Sequence, residues 1–268
     1  VREIKRTKFQ YPVVNSVTPI QSNNGQLMTV KNLTDKSADL YIYGEIVDNT
    51  DWKWDESDVM PDDVKEVLES VEGLETLNIY VNSPGGSVFA GLGIYNMLKR
   101  NKAYKTAYID GVGASMASVI PFAANKVFMP SNSFLMIHKP LTIAIGNASD
   151  FRKLAEDLDT IESGLVDIYK ANLQEGVDIE TIKQMMEEET WLTGEEAAKY
   201  FNVEVIESKN IAACASDLLN KYNKTPQKLL AQAGETKGGQ PPEIPKPEAN
   251  EDEYDKIKFQ NELDLLEL

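Results

Sequence analysis

The 268-residue chain is long enough to bury one large core, or a core with appendages, and its 42% hydrophobic and 26% charged residues are ordinary for a soluble protein. Its 27 Lys and Arg stand against 43 Asp and Glu, and a net charge of -16 argues against nucleic acid and against anionic membranes as partners.

Residues 1–23, with Pro12 and Pro19 and weak periodicity, read as an N-terminal arm. Asn23-Asn24-Gly25 is a turn signal, and strands are expected at 26–30 and 38–43, the latter continuing to Val47. Trp52 and Trp54 sit among acids in a loop that caps the core or meets a partner. Val59, Val64, Val67, Leu68 and Val71 keep to one face of a helix that starts near Pro61. A buried strand at 77–81, the turn Asn82-Ser83-Pro84-Gly85-Gly86-Ser87 and a helix at 88–99 follow. The unit then repeats as a strand at 105–109, a turn at Gly111–Ser115, a helix to Ala124 and a strand at 126–129. Such alternation predicts an α/β fold with parallel strands, right-handed crossovers and functional loops at the strands' carboxyl ends.

Leu141–Ile145 reads as a further strand and Asn147 opens a long helix to about Leu173. A short helix at 179–187 follows, then a capping box, Thr193-Gly194-Glu195-Glu196, that opens a helix at 194–200, and a strand at 203–206. Residues 210–233 are Ala- and Leu-rich and predict a helical extension. Residues 234–268 have the Pro- and Gly-rich composition of a linker and then an acidic tail, together expected to be disordered. The domain between arm and extension spans 24–209. The one cysteine, Cys214, excludes an intrachain disulfide within these residues, reads as a small buried side chain and fits a cytoplasmic setting. No apolar stretch reaches the roughly 18 residues of a membrane span, and the N-terminus lacks the layout of a secretory signal. Neither metal-ligand spacing nor a phosphate loop is present, so no cofactor is implied.

Chemistry concentrates in three places. Gly113-Ala114-Ser115-Met116-Ala117 puts a serine on a small-residue turn between strand and helix, which exposes a hydroxyl; by itself it also fits a plain packing turn. Twenty-three residues on stands His138, the sole histidine, so any serine–histidine chemistry must use it. In the Pro84-Gly85-Gly86 turn the glycines let backbone approach a ligand, and the Gly86 and Met116 amides could form an oxyanion hole. A third, acidic member is not chosen by spacing: Asp110, Asp150, Asp157, Asp159, Asp167, Asp178 and Glu187 to Glu189 are all candidates.

The blocks Ile79–Val88, Gly113–Ala117 and Met136–Pro140, in that order and spacing, and the later Trp191–Ala197 block, resemble the Clp protease proteolytic subunit family of ClpP-like serine peptidases. The resemblance runs from about Leu40 to Glu207. It implies a ClpP/crotonase-type spiral of repeated βαβ units with a projecting handle helix at 147–173, and a homo-oligomeric ring acting on protein substrates. It also implies Ser115 as nucleophile, His138 as base, Gly86 and Met116 as oxyanion donors, and Gly85, Gly86 and Pro140 as substrate-binding residues. Counting back from Trp191 puts Glu189 where the family usually has an Asp. The arm and tail depart from the family and resemble its phage and prophage branch, the head maturation proteases. That branch implies an ATP-independent endopeptidase that trims scaffold and capsid proteins in the host cytoplasm, associated with proheads. A degradative subunit working with an ATP-dependent unfoldase is the alternative, followed by a non-catalytic scaffold with the same fold. A crotonase-type acyl-CoA enzyme has no need of the serine–histidine pair.

Overall fold

The computed structural model describes residues 30–31, 33–34, 36–49, 57–207, 217–227 and 229. The expected arm, most of the strand at 26–30, Trp52, Trp54, Cys214, the linker and the acidic tail lie outside them.

In chain order the elements are β1 (Val30–Lys31), β2 (Ser37–Tyr43), α1 (Pro61–Ser70), β3 (Thr76–Ser83), α2 (Val88–Arg100) and β4 (Tyr104–Ala114). Two 3-10 turns, Ser115–Ser118 and Ile120–Ala123, lead to β5 (Lys126–Pro130) and β6 (Phe134–Ile137). Then come α3 (Ala148–Lys170), α4 (Ile179–Glu187), β7 (Thr190–Thr193), α5 (Gly194–Tyr200), β8 (Glu204–Ile206) and a 3-10 turn at Asp217–Lys221.

β2, β3, β4, β5 and β8 pair in that order, all parallel, with β1 antiparallel at one edge. This is the α/β arrangement that the strand–helix alternation predicts. One face carries aromatic rings in register: Tyr41, Tyr80, Tyr108 and Phe128 stack from strand to strand with centroids 4.7, 5.0 and 5.4 Å apart. The other face buries Leu40, Ile42, Ile79, Val81, Ala107 and Ile109 against α1 and α2. The period-2 alternation of the strands sets this division.

β4 divides its edge between two partners. Thr106–Tyr108 pairs with β5, whereas Val112–Ala114 pairs with β6. A register shift between Val81 and Ser83 accompanies the switch, and the Asn82 side chain fills it by accepting the Val112 amide at 3.1 Å. The turn expected at Gly111–Ser115 is therefore strand as far as Ala114, and the chain turns at Ser115 itself. The helix expected to run to Ala124 is a pair of 3-10 turns that meet at Val119; Pro121, early in the second, has no amide to donate back to the first turn as a continuous α-helix would require.

Two further expectations need correction. Leu141–Ile145 has no strand partner among the described residues, and its Leu141, Ile143 and Ile145 are exposed at 67%, 95% and 93%. An alternating run needs a neighbouring strand, and none lies beside it. In contrast, β6 and β7 were not expected as strands. Each is four residues long, too short for periodicity to mark.

α3 buries only its last turns, through Leu165, Val166, Ile168 and Tyr169, while most of Ala148 to Ser163 is exposed, so it projects from the sheet. Asn147 caps it, and Asp150 reaches back to the Asn147 amide at 2.8 Å. The Thr193–Glu196 box forms as read: Glu196 Oε2 accepts the Thr193 amide at 2.9 Å, and the Thr193 hydroxyl accepts the Glu196 amide at 3.4 Å. Thr193→Ala is expected to cost about 1 kcal/mol, read as a lower urea midpoint at unchanged slope.

Candidate active site

Strand register brings three side chains together. β6 lies parallel to β4, with Ala114 opposite Met136, and antiparallel to β7, with Ile137 opposite Thr190. One residue past each pairing stand Ser115, His138 and Glu189. They thus share the carboxyl end of β4 and β6, although 74 positions separate the first from the last.

Ser115 Oγ lies 2.7 Å from His138 Nε2. With the imidazole proton on Nδ1, the hydroxyl donates to Nε2, which is the arrangement for proton removal. Ser115 has φ +52°, in the left-handed region that costs a non-glycine residue about 1–2 kcal/mol. The cost is sustained because both sides of the turn are fixed, by β4 before it and by the bond from Ser118 Oγ to the Ser115 carbonyl at 2.5 Å after it. The turn is an elbow that lifts the hydroxyl out of the sheet.

The Pro84-Gly85-Gly86 turn abuts this elbow. A Cβ on Gly85 would lie 2.6 Å from the Ala114 carbonyl oxygen, 2.8 Å from Ser115 Cβ and 3.1 Å from the Met116 amide nitrogen. Gly85 has φ +98° and Gly86 φ +140°, and the turn is tied down by bonds from Ile46 N to the Gly85 carbonyl and from Ser87 N to the Ile46 carbonyl, both 2.7 Å. Gly86, Ser115, His138 and Pro140 line a cavity of about 230 Å³, which Glu45, Val88 and Leu141 extend. The Met116 side chain is buried beneath the elbow against Gly91, so only its backbone is available to the site. Gly85 meets the elbow rather than the cavity wall, so its part is to let the two turns touch.

Burial pushes the His138 imidazole below its usual 6.5, and the Glu189 charge partly opposes this. Glu189, 8% exposed and with φ +51°, makes no hydrogen bond to His138 among the described residues. Its Oε2 accepts the Asn223 amide at 2.9 Å and the Asn223 side chain at 3.0 Å; Oε1 accepts the Lys224 amide at 2.6 Å and the Trp191 indole at 3.4 Å. Burial raises this carboxyl, but those donors outweigh it and hold it below the usual carboxylate range. The other acids left open by spacing divide as follows. Asp110 is engaged on the aromatic face by the Tyr43 hydroxyl at 2.5 Å, Asp150 caps α3, Asp157 pairs with Lys153, Asp178 caps α4, Glu187 pairs with Lys139 at 2.5 Å, and Glu188 accepts the Gln184 side-chain amide at 3.0 Å. Asp159 and Asp167 line a separate crevice between α3 and α4.

Sequence reasoning missed the segment that covers the site. The 3-10 turn at Asp217–Lys221 and the residues after it place Leu218, Lys221 and Tyr222 in the cavity wall. The Tyr222 ring lies 5.3 Å from the His138 ring, edge to face, and its hydroxyl donates to the Pro84 carbonyl at 2.6 Å. Nothing in this Ala- and Leu-rich stretch signals a tie to Glu189, because two of its three bonds to that carboxylate come from backbone amides. Among the described residues there is no cluster of three or more metal-ligating side chains, and no helix is long and apolar enough to cross a membrane.

Residues 33–209 match the family model described as Clp protease. Over 145 residues the chain is 34% identical to the ATP-dependent Clp protease proteolytic subunit of Porphyromonas gingivalis, covering 53% of this chain and 64% of that protein. Over 153 residues it is 33% identical to ATP-dependent Clp protease proteolytic subunit 1 of Salinibacter ruber, covering 56% and 64%. The chain therefore spans just under two thirds of the length of these relatives. A solved structure of a ClpP1 mutant from Listeria monocytogenes is similar at 26% identity with a TM-score of 0.52, covering 64% of this chain and 92% of that one.

Proposed function

The chain belongs to the Clp protease family, and from that premise we propose that it is a serine endopeptidase in which Ser115 is the nucleophile and His138 the general base. The observation that carries this is the 2.7 Å contact between Ser115 Oγ and His138 Nε2 on a left-handed elbow. In the proposed reaction Ser115 Oγ attacks the scissile carbonyl carbon while His138 Nε2 takes its proton. The Gly86 and Met116 amides stabilise the oxyanion, and the imidazolium then protonates the leaving amine. Water, deprotonated by His138, hydrolyses the acyl-enzyme. Glu189 supplies the negative charge that stabilises the imidazolium, and Pro140 and the Gly85–Gly86 turn flank the substrate chain.

The substrates in this reading are scaffold and capsid proteins of a phage head, cut without ATP. Its support is the material outside the family match: the family model ends at 209, and an acidic, Pro- and Gly-rich stretch follows. The second reading, a degradative subunit served by an unfoldase, is favoured by the names of the relatives, which are ATP-dependent subunits. Exposed Leu141, Ile143, Ile145 and Phe151 support self-association into an oligomer.

Fluorophosphonate labelling of the full chain tests the chemistry. Label is expected on the Ser115 peptide in the wild type and on neither Ser115→Ala nor His138→Ala. A folded chain that takes no label, either as the wild type or with Tyr222→Ala, would end the peptidase reading. Cleavage of a folded capsid-type substrate without ATP separates the two substrate classes.

A further inference from the structure

The segment from Asp217 to Thr225 lies over the site as a strap, and its attachment is specific at both ends. Leu219 is fully buried in a small cluster with Val112, Ala114 and Met136, on the strands that deliver Ser115 and His138. The turn is closed by the Thr225 hydroxyl donating to the Leu219 carbonyl at 2.6 Å. On the far side, Lys224 Nζ donates to the Glu188 carbonyl, and the amides of Asn223 and Lys224 hold both Glu189 oxygens.

Two consequences follow for the site. Tyr222 fills the space between His138 and the glycine turn, bonded to the Pro84 carbonyl and touching Ser115, so an extended polypeptide cannot lie along Pro84–Gly86 while the ring is there. Glu189, whose neighbour Thr190 pairs across from Ile137, spends its acceptors on the strap rather than on His138. Burial keeps the Tyr222 phenol neutral, pushed up to about 12, so it remains a hydrogen-bond donor.

We infer that residues 217–225 are an autoinhibitory latch that occupies the substrate groove and diverts the Glu189 carboxylate from His138. Withdrawal of the strap opens the groove and frees Glu189 together, because one segment makes both sets of contacts. The inference rests on the peptidase reading of Ser115 and His138 for its consequence, but not for the occlusion itself.

The test compares the full chain with Tyr222→Ala and with Leu219→Gln, which loosens the strap at its anchor without touching the cavity. Two rates are read. Diethyl pyrocarbonate modification of His138 reports coverage of the ring independently of any peptidase activity, and it is unambiguous because no other histidine exists. Fluorophosphonate labelling of Ser115 reports the working nucleophile. Both rates are expected to rise at least about tenfold in both variants, as the open fraction grows. Unchanged carbethoxylation in both would overturn the latch, as would faster carbethoxylation with Ser115 labelled at one measurable, unchanged rate in all three proteins. Faster carbethoxylation with no label on Ser115 in any of the three proteins would instead remove the peptidase reading and support a closed strap over a site of other chemistry.

Discussion

Replacing Ser115 or His138 by Ala is expected to lower kcat/KM for peptide hydrolysis by about 10⁴–10⁶-fold, and the double variant to be no worse than either single one. The nucleophile and its base form one device, so removing either forfeits nearly all that the pair contributes. Far-UV circular dichroism should be unchanged, since both side chains end at the cavity. The pH dependence has a definite sign. His138 must be neutral to take the proton, and burial lowers its pKa below 6.5 against the partial opposition of Glu189. Activity should therefore rise with pH through a midpoint below 6.5 and then level off. The same shift makes the folded chain bind protons less readily than the unfolded one. The contribution of His138 to stability is then lost as pH falls from the unfolded value through the folded one. An acid limb centred above 6.5 would mean that Glu189, not burial, dominates the imidazole.

Gly86→Ala is expected to damage both stability and activity, because the new methyl group meets backbone beside the site. The added Cβ would lie 2.0 Å from the Ile46 carbonyl oxygen, which is backbone, and φ is +140°. Relief requires breaking the bridge that ties Ile46 to Gly85 and Ser87, and this displaces the amide assigned to the oxyanion. A loss of more than about 2 kcal/mol in unfolding free energy is expected, from buried strain of this kind. On the proposed mechanism kcat falls by ~10²–10³ in the fraction that stays folded. Gly73→Ala is the control. Its φ of +87° is also left-handed, but nothing lies within 4 Å of the new Cβ, so about 1–2 kcal/mol of backbone strain is the whole cost and activity should hold. Urea midpoints and kcat/KM on the two variants separate the clash from the strain. Equal destabilisation by both would show that the contact with Ile46 is easily relieved.

Much of this molecule can be read without coordinates. The alternation of strand, glycine turn and helix from Leu77 to Met129 dictates parallel strands, and the pairing of β2, β3, β4, β5 and β8 follows it. The solitary histidine leaves Ser115 one candidate partner in the chain, and the two meet. The Thr193–Glu196 box is local chemistry, fixed by neighbours three residues apart, and it forms.

What remained hidden depends on contacts between residues far apart in the chain. The split of β4 between β5 and β6 leaves no mark in a strand whose hydrophobicity simply continues. The nearness of Glu189 to His138 comes from the antiparallel register of two four-residue strands, which carry too little periodicity to reveal themselves. Leu141–Ile145 shows the reverse: its alternation is real, but a strand exists only where another supplies hydrogen bonds. Most of all, the strap over the cavity rests on amides of Asn223 and Lys224 reaching a carboxylate 34 and 35 residues away. Every residue except proline offers a backbone amide, so residue types select the groups available for chemistry here, and the tertiary structure alone selects which of them Glu189 meets.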